Sequence, residues 1–240
     1  MSSALLNEVL PRLAHTAAKG RLPLVVFDLD STLFCTGARN LAILNEFVSS
    51  LSMPPRGLRE LVSTLGPADM GWNVNDALRK RGVDDAALHA ELKRFWSERF
   101  FTDAMVLHDE PLPGAAAFAR ACQAQGAMLY YLTGRHVGGM EHGTAASLLR
   151  HGFPLLDGRS VLHLKPSFTL ADRRFKEEAL AAIHALRGEV VATFENEPGN
   201  ANLFLKHFPD AQHFLLETVH SPDAEAPDAR LVRLSDFRHA

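Results

Sequence analysis

An open α/β sheet of parallel strands, interrupted once by a long helical insertion, is the fold the sequence predicts. Three observations carry it. Four short apolar runs each end in a polar cluster, helical patterns separate the later runs, and about 100 residues part the first run from the second. Short unbroken apolar runs suit parallel strands, because helices cover both faces of such a sheet. Strands alternating with helices then imply right-handed crossovers.

Taken in order, residues 1–19 read as an amphipathic helix with Leu5, Leu6, Val9, Leu10 and Leu13 on one side. Asn7 and Glu8 interrupt the apolar stretch that a signal peptide needs. The runs are Leu24-Val25-Val26-Phe27, Met128-Leu129-Tyr130-Tyr131-Leu132, Val161-Leu162-His163-Leu164 and Val190-Val191-Ala192-Thr193-Phe194, with His213-Phe214-Leu215-Leu216 as a fifth candidate. Residues 115–125 form a helical pattern with Phe118, Ala119 and Cys122 on one face, Pro113 at its start and Gly126 closing it. Residues 173–186 place Phe175, Ala179, Ala182, Ile183 and Leu186 along another stripe.

A simple crossover needs far fewer residues than separate Phe27 from Met128. The extra chain carries three helical stripes and no convincing strand. They are Leu41, Leu44, Phe47, Val48 and Leu51; Leu58, Leu61, Val62 and Leu65; and Leu88, Leu92, Phe95, Trp96 and Arg99. The expected division is a core of residues 1–35 and 109–240, with 36–108 as a small helical bundle over the end of the sheet. Residues 221–229, rich in Pro, Asp and Ala, are expected to loop before a last short element at 231–237.

Composition narrows the function. Of 240 residues, 47% are hydrophobic and 22% charged, enough to bury a core and exclude general disorder. The formal charge is −3, from 25 Lys+Arg against 28 Asp+Glu, so no basic excess advertises nucleic acid or an anionic membrane. Two cysteines, Cys35 and Cys122, exclude a disulfide framework and a cysteine-type zinc site. No apolar run is long enough to span a membrane. A cytoplasmic protein is the expectation.

Ligands of such sheets sit at the carboxyl ends of the strands. The first run leads into Asp28-Leu29-Asp30-Ser31-Thr32, the second into Thr133-Gly134-Arg135, the third into Lys165-Pro166 and the fourth into Glu195-Asn196-Glu197. Each cluster alone is weak; together they suit phosphoryl transfer through a covalent intermediate. A carboxylate can attack phosphorus and split one hard displacement into two easier ones. A divalent metal must then offset its repulsion from phosphate, and hard oxygen ligands such as Asp28 and Glu195 favour Mg²⁺. Asp30 can protonate the leaving oxygen and later activate water. Thr133 and Lys165 would hold the phosphate oxygens.

These motifs, in this order, resemble the haloacid-dehalogenase-like phosphohydrolases across residues 24–214. Phe27-Asp28-Leu29-Asp30-Ser31-Thr32-Leu33 is similar to the family's first motif, Tyr131-Leu132-Thr133-Gly134-Arg135 to its second, and Leu164-Lys165-Pro166 to its third. The resemblance implies a Rossmann-like sheet, Mg²⁺, Asp28 as nucleophile and Asp30 as acid/base residue, with the Asp30 main-chain carbonyl also on the metal. It implies that the insertion is a cap, and that the substrate is a small phosphorylated metabolite. Asp at position 30 argues for phosphate chemistry over dehalogenation. Expected site residues are thus Asp28 and Asp30 for catalysis, Thr133, Gly134 and Lys165 for substrate, and Asp28, Asp30 and Glu195 for metal.

The fourth motif departs from the family's Gly-Asp pattern. Phe194-Glu195-Asn196-Glu197-Pro198-Gly199-Asn200 puts Glu195 where the first Asp stands and Asn200 where a second could fall. Lys176 rivals Lys165 as the phosphate lysine, with Lys165 favoured because it directly follows a strand. Arg135 reads equally as a phosphate contact or as a salt bridge steadying its loop. His136, His142, His151 and His163 show no metal-ligand spacing. Ser31 is expected to orient its loop, and Trp72 to pack rather than face substrate. A phosphomutase with the same two aspartates, and a non-catalytic phosphate-binding module, are the alternative functions.

Overall fold

The computed structural model describes residues 2–239. Helix α1 (Ser2–Ala18) leads into β1 (Pro23–Phe27), and a tight loop then reaches β2 (Phe34–Cys35). The insertion follows as α2 (Gly37–Ser50), α3 (Leu58–Ser63), a 3₁₀ turn (Pro67–Asp69), α4 (Asp76–Lys80), α5 (Ala86–Ser97) and α6 (Asp103–Val106). The chain returns through β3 (Glu110–Pro111), α7 (Ala115–Ala124), β4 (Met128–His136), α8 (Val137–Arg150), β5 (Ser160–Lys165) and α9 (Asp172–Ala185). It ends with β6 (Glu189–Glu195), α10 (Pro198–His207), β7 (Gln212–Leu216) and β8 (Val232–Leu234).

Six strands form one sheet in the order β5-β4-β1-β6-β7-β8, every neighbouring pair parallel. Strand β1 lies between β4 and β6, where the strand order reverses, so its carboxyl end opens into the crevice that such sheets use for ligands. Alternate residues of β1 serve opposite faces, as the strand period of two requires. Val25 and Phe27 join a core with Leu6, Val9 and Leu13 of α1 and Phe118 and Cys122 of α7. Leu24 and Val26 join another, with Phe175, Ala179 and Ile183 of α9 and Phe204 of α10. Both faces are covered, which is why the strands read as continuous apolar runs.

The insertion has its own hydrophobic cluster, including Leu44, Phe47, Val62, Val74, Leu78 and Leu92. Two details differ from expectation. Phe34 and Cys35 pair antiparallel with Pro111 and Glu110, a short ribbon where the chain leaves and rejoins the core. Helix α6 packs on α8, and Asp103 Oδ1 accepts the Gly143 N–H at 2.6 Å, so the last turn of the insertion is fastened to the core. Neither feature has an apolar period long enough to read. Among the described residues no helix is long and apolar enough to cross a membrane.

Candidate active site

The site begins with three phenylalanines. Phe27, Phe194 and Phe214 are partners in register on β1, β6 and β7, and their rings stack at 4.9 and 4.7 Å between centroids. Such pairs contribute about 0.5–1.5 kcal/mol each beyond the area they bury. Locking this register puts the next residues, Asp28 and Glu195, side by side at the strand ends. Asp28 N–H donates to Phe194 O at 3.0 Å, carrying the pairing one step past β1.

Lys176, on the buried face of α9, closes this pair. Its Nζ donates to Asp28 Oδ1 at 2.8 Å and to Glu195 Oε2 at 2.7 Å, with Asp172 Oδ2 at 3.9 Å. Burial opposes the charge on Lys176, but Asp28, Glu195 and Asp172 outweigh it and raise its pKa well above the ordinary value. Burial and the Asp28 charge push Glu195 up to about 8, against the pull of Lys176. Burial likewise raises Asp28 above its ordinary range, again against Lys176. Two buried carboxylates share one ammonium and remain short of positive charge.

That shortage is the test for a metal. Among the described residues no three His, Cys, Asp or Glu side chains cluster as a ready cation cage. Asp28 and Glu195 are nevertheless hard oxygen donors at adjacent strand ends, in surroundings that penalise their negative charge. A hard divalent cation with one or two carboxylate ligands fits this donor set.

Asp30 is held differently. Its Oδ1 accepts from Arg135 Nε at 3.0 Å and Nη2 at 2.5 Å, and from Arg39 Nη2 at 2.9 Å. Asp109 braces both arginines from behind: Arg135 Nη2 donates to its Oδ2 at 2.6 Å, and Arg39 Nε to its Oδ1 at 2.9 Å. Burial works against ionised Asp30, yet Arg135 and Arg39 prevail and hold it down at about 2. Ser31 follows with φ of 58°, an uncommon conformation for a residue with a side chain, and its hydroxyl lies 3.1 Å from that of Thr36. Thr32 Oγ1 donates to Asn196 Oδ1 at 3.1 Å, tying the loop after β1 to the end of β6.

The remaining expected residues divide. Gly134 lines the cavity, and a Cβ there would fall 2.2 Å from Asp172 Oδ1, a buried atom without a hydrogen-bond partner. Thr133 is fully buried and is not part of the cavity wall; its hydroxyl accepts the Arg135 N–H at 3.2 Å. The reason is that β4 runs on through residues 133–136, so Thr133 lies within the strand instead of beyond it. Lys165 lines the cavity and makes no ion pair among the described residues, while Lys176, its rival as the phosphate lysine, is the one that contacts Asp28. Arg135 is a buried ion-pair residue. Glu195 Oε1 accepts the N–H groups of Asn196 and Glu197 at 3.2 and 3.0 Å. Glu197 turns to Ser221, accepting from its N–H at 3.0 Å and its hydroxyl at 2.8 Å. Asn200 Nδ2 donates to Asp172 at 3.2 Å.

Sequence reading missed Arg39, Asp109 and Asp172. A signal existed for Arg39 and Lys176: each continues a buried helical stripe, Arg39 with Ile43 and Phe47, and Lys176 with Ala179 and Ile183. A cation in such a stripe must find a buried partner. Trp72, expected to pack, is 55% exposed and lines the cavity instead. That cavity, of about 620 Å³, lies between the strand ends and the insertion.

No family model matches the chain, and no curated protein matches its sequence. Solved structures do. A haloacid-dehalogenase-superfamily hydrolase (subfamily IA, variant 1) from Geobacter sulfurreducens PCA is 12% identical with a TM-score of 0.51, covering 90% of this chain and 93% of that one. A Clostridium difficile protein provisionally assigned as a phosphatase is 13% identical with a TM-score of 0.51, over 85% and 89% of the two chains. Protein Tyrosine Kinase A from Mycobacterium tuberculosis is 16% identical with a TM-score of 0.50, over 90% and 94%. Identities this low speak to fold alone. With its parallel six-stranded sheet and the insertion after β1, this chain has the haloacid-dehalogenase-like fold.

Proposed function

We propose that the chain is a Mg²⁺-dependent phosphohydrolase that cleaves a small phosphomonoester through a phosphorylated Asp28. The observation that carries this reading is Asp28 itself. It is a buried carboxylate at the end of the central strand, held through Oδ1 by Lys176, and it faces a ligand-sized cavity with a second aspartate two residues on. Orientation of this kind converts a weak nucleophile into an effective one.

In the first step Asp28 Oδ2 attacks phosphorus, the bond to the leaving oxygen breaks, and that oxygen takes up a proton. Water then attacks the same phosphorus, and the acyl phosphate bond breaks to return Asp28 and release inorganic phosphate. Lys176 keeps Asp28 turned towards the cavity and presents positive charge beside the phosphoryl group. Asp28, Glu195 and the Asp30 main-chain carbonyl would hold Mg²⁺, which when bound supplies charge neutralisation at the phosphoryl oxygens. Ionised Asp30 suits the base of the second step. To act as the acid of the first it must gain a proton, which needs withdrawal of an arginine, and Arg39 rides on the insertion. Residues 36–108 serve as the cap that excludes bulk water.

The test is phosphate release from a panel of phosphorylated metabolites, with and without Mg²⁺ after EDTA dialysis. Mg²⁺-dependent release that Asp28→Asn abolishes is expected. Full activity in EDTA, or an Asp28→Asn variant as active as the wild type, would overturn the reading.

A further inference from the structure

We infer that the substrate's leaving group is an alcohol bearing a planar aromatic ring, gripped by Trp72 and the ring cluster on the insertion; this rests on the reading of Asp28 as the residue that meets phosphorus. The core side of the cavity is charged, with Asp28, Lys176 and Glu195. The insertion side is aromatic, with Trp72, Trp96, Phe100 and Phe101. Trp96 packs at 4.7 Å from Phe100 and 5.6 Å from Phe101, and those two rings lie 5.0 Å apart. Trp96 Nε1 donates to Asn40 Oδ1 at 2.8 Å, which fixes the indole and satisfies its polar edge.

Trp72 is the telling residue. Among the described residues it stacks on no other ring, and at 55% exposed it faces the same cavity as the catalytic carboxylates. A large ring left half in water marks a contact surface more often than a core. The polar side chains of the insertion on this wall are Thr36, Asn40 and Lys93, and Lys93 Nζ already lies over the Trp96 ring at 3.8 Å from its centroid. Asn40 commits its carbonyl to Trp96, and the Thr36 hydroxyl pairs with Ser31. A polyol hydroxyl laid against the Trp72 ring would lose hydrogen bonds to water there without replacement. An aromatic ring loses nothing comparable and gains stacking. A volume of about 620 Å³ holds a phosphate and one ring system.

Nucleoside 5′-monophosphates and simple aryl or arylalkyl phosphates share this chemistry, and the experiment separates them. Calorimetric titrations of the Asp28→Asn protein with Mg²⁺ would use adenosine 5′-monophosphate and phenyl phosphate against glycerol 3-phosphate and glucose 6-phosphate. At least one aromatic ligand should bind about tenfold tighter than both aliphatic ones. Trp72→Ala should collapse that ratio towards one, and Trp72→Phe should largely restore it. Equal affinities, or a ratio that Trp72→Ala leaves intact, would overturn the inference. Because affinity is read without turnover, failure of the wild type to hydrolyse anything would topple the phosphohydrolase reading and leave the ring preference decided on its own.

Discussion

Arg39, carried on the first helix of the insertion, donates to Asp30 Oδ1 at 2.9 Å, although Asp30 belongs to the loop that ends the first strand of the core. Arg135 holds the same oxygen from the neighbouring strand, and Asp109 stands behind both arginines. Insertion, ribbon and core thus meet in one set of two buried cations, the buried Asp109 and the partly exposed Asp30. The charges balance within the set, and that balance permits complete burial of both guanidinium groups.

Breaking the set should be costly. Asp109→Ala leaves two buried arginines with a single carboxylate, and a loss of about 3–5 kcal/mol in urea unfolding is expected. Arg21→Ala, which removes a solvent-exposed pair with Glu189, should cost less than about 1 kcal/mol. Equal small effects would mean that Asp30 alone satisfies both arginines.

The two lysines should separate cleanly. Lys176→Met removes the only side-chain donors to Asp28 and Glu195 among the described residues, so kcat should fall about a hundredfold or more and stability should fall with it. Lys165→Met, with no ion pair to lose among the described residues, should cost less than about tenfold in kcat/KM. The reverse ranking in steady-state kinetics would make Lys165 the phosphate lysine.

Asp28→Asn should lower turnover by at least about a thousandfold, because an amide of near-identical shape is a poor nucleophile. Its thermal midpoint should stay near that of the wild type, since Glu195 still partners Lys176. Asp30→Asn, which keeps the nucleophile, should slow both steps, and intact-mass spectra of that variant with substrate should show an added phosphoryl group.

The His213 contribution to stability should be lost on the acid side of neutrality. His213 Nε2 donates to Phe208 O at 2.9 Å, and its Nδ1 lies 2.8 Å from the Thr193 hydroxyl in the buried interior. Burial lowers its pKa from 6.5, and half-buried His163 shifts the same way. The unfolded chain therefore binds more protons, and this contribution is complete above about pH 6.5 and lost as pH falls through the depressed values. Glu195, pushed up to about 8, acts in the opposite sense over this range, so the check is the difference between proteins: from pH 7.5 to 5.5 the wild-type midpoint should drop relative to that of His213→Gln. Parallel curves for the two proteins would exclude His213 as a source.

What the sequence determined by itself is the sheet and the ends of its strands. Leu24-Val25-Val26-Phe27 and Val190-Val191-Ala192-Thr193-Phe194 are apolar at every step because helices cover both faces, and chemistry at the strand ends follows from chain order alone. Asp28, Asp30 and Glu195 were legible for that reason. Only the tertiary structure decided which cation each acid meets. Lys176 reaches Asp28 across 148 residues, Arg135 reaches Asp30 across 105, and Arg39 reaches Asp109 across 70. Lys165 looked better placed because it sits at a strand end, but the first turns of α9 lie against the sheet and carry Lys176 between the carboxylates. Trp72 misled for a related reason: a tryptophan reads as core wherever it falls, and only the shape of the folded insertion leaves this one facing a cavity. Local periodicity is set by neighbours a few residues away and is written in the chain. Charge pairing and exposure are set by groups brought together from far along it, through packing.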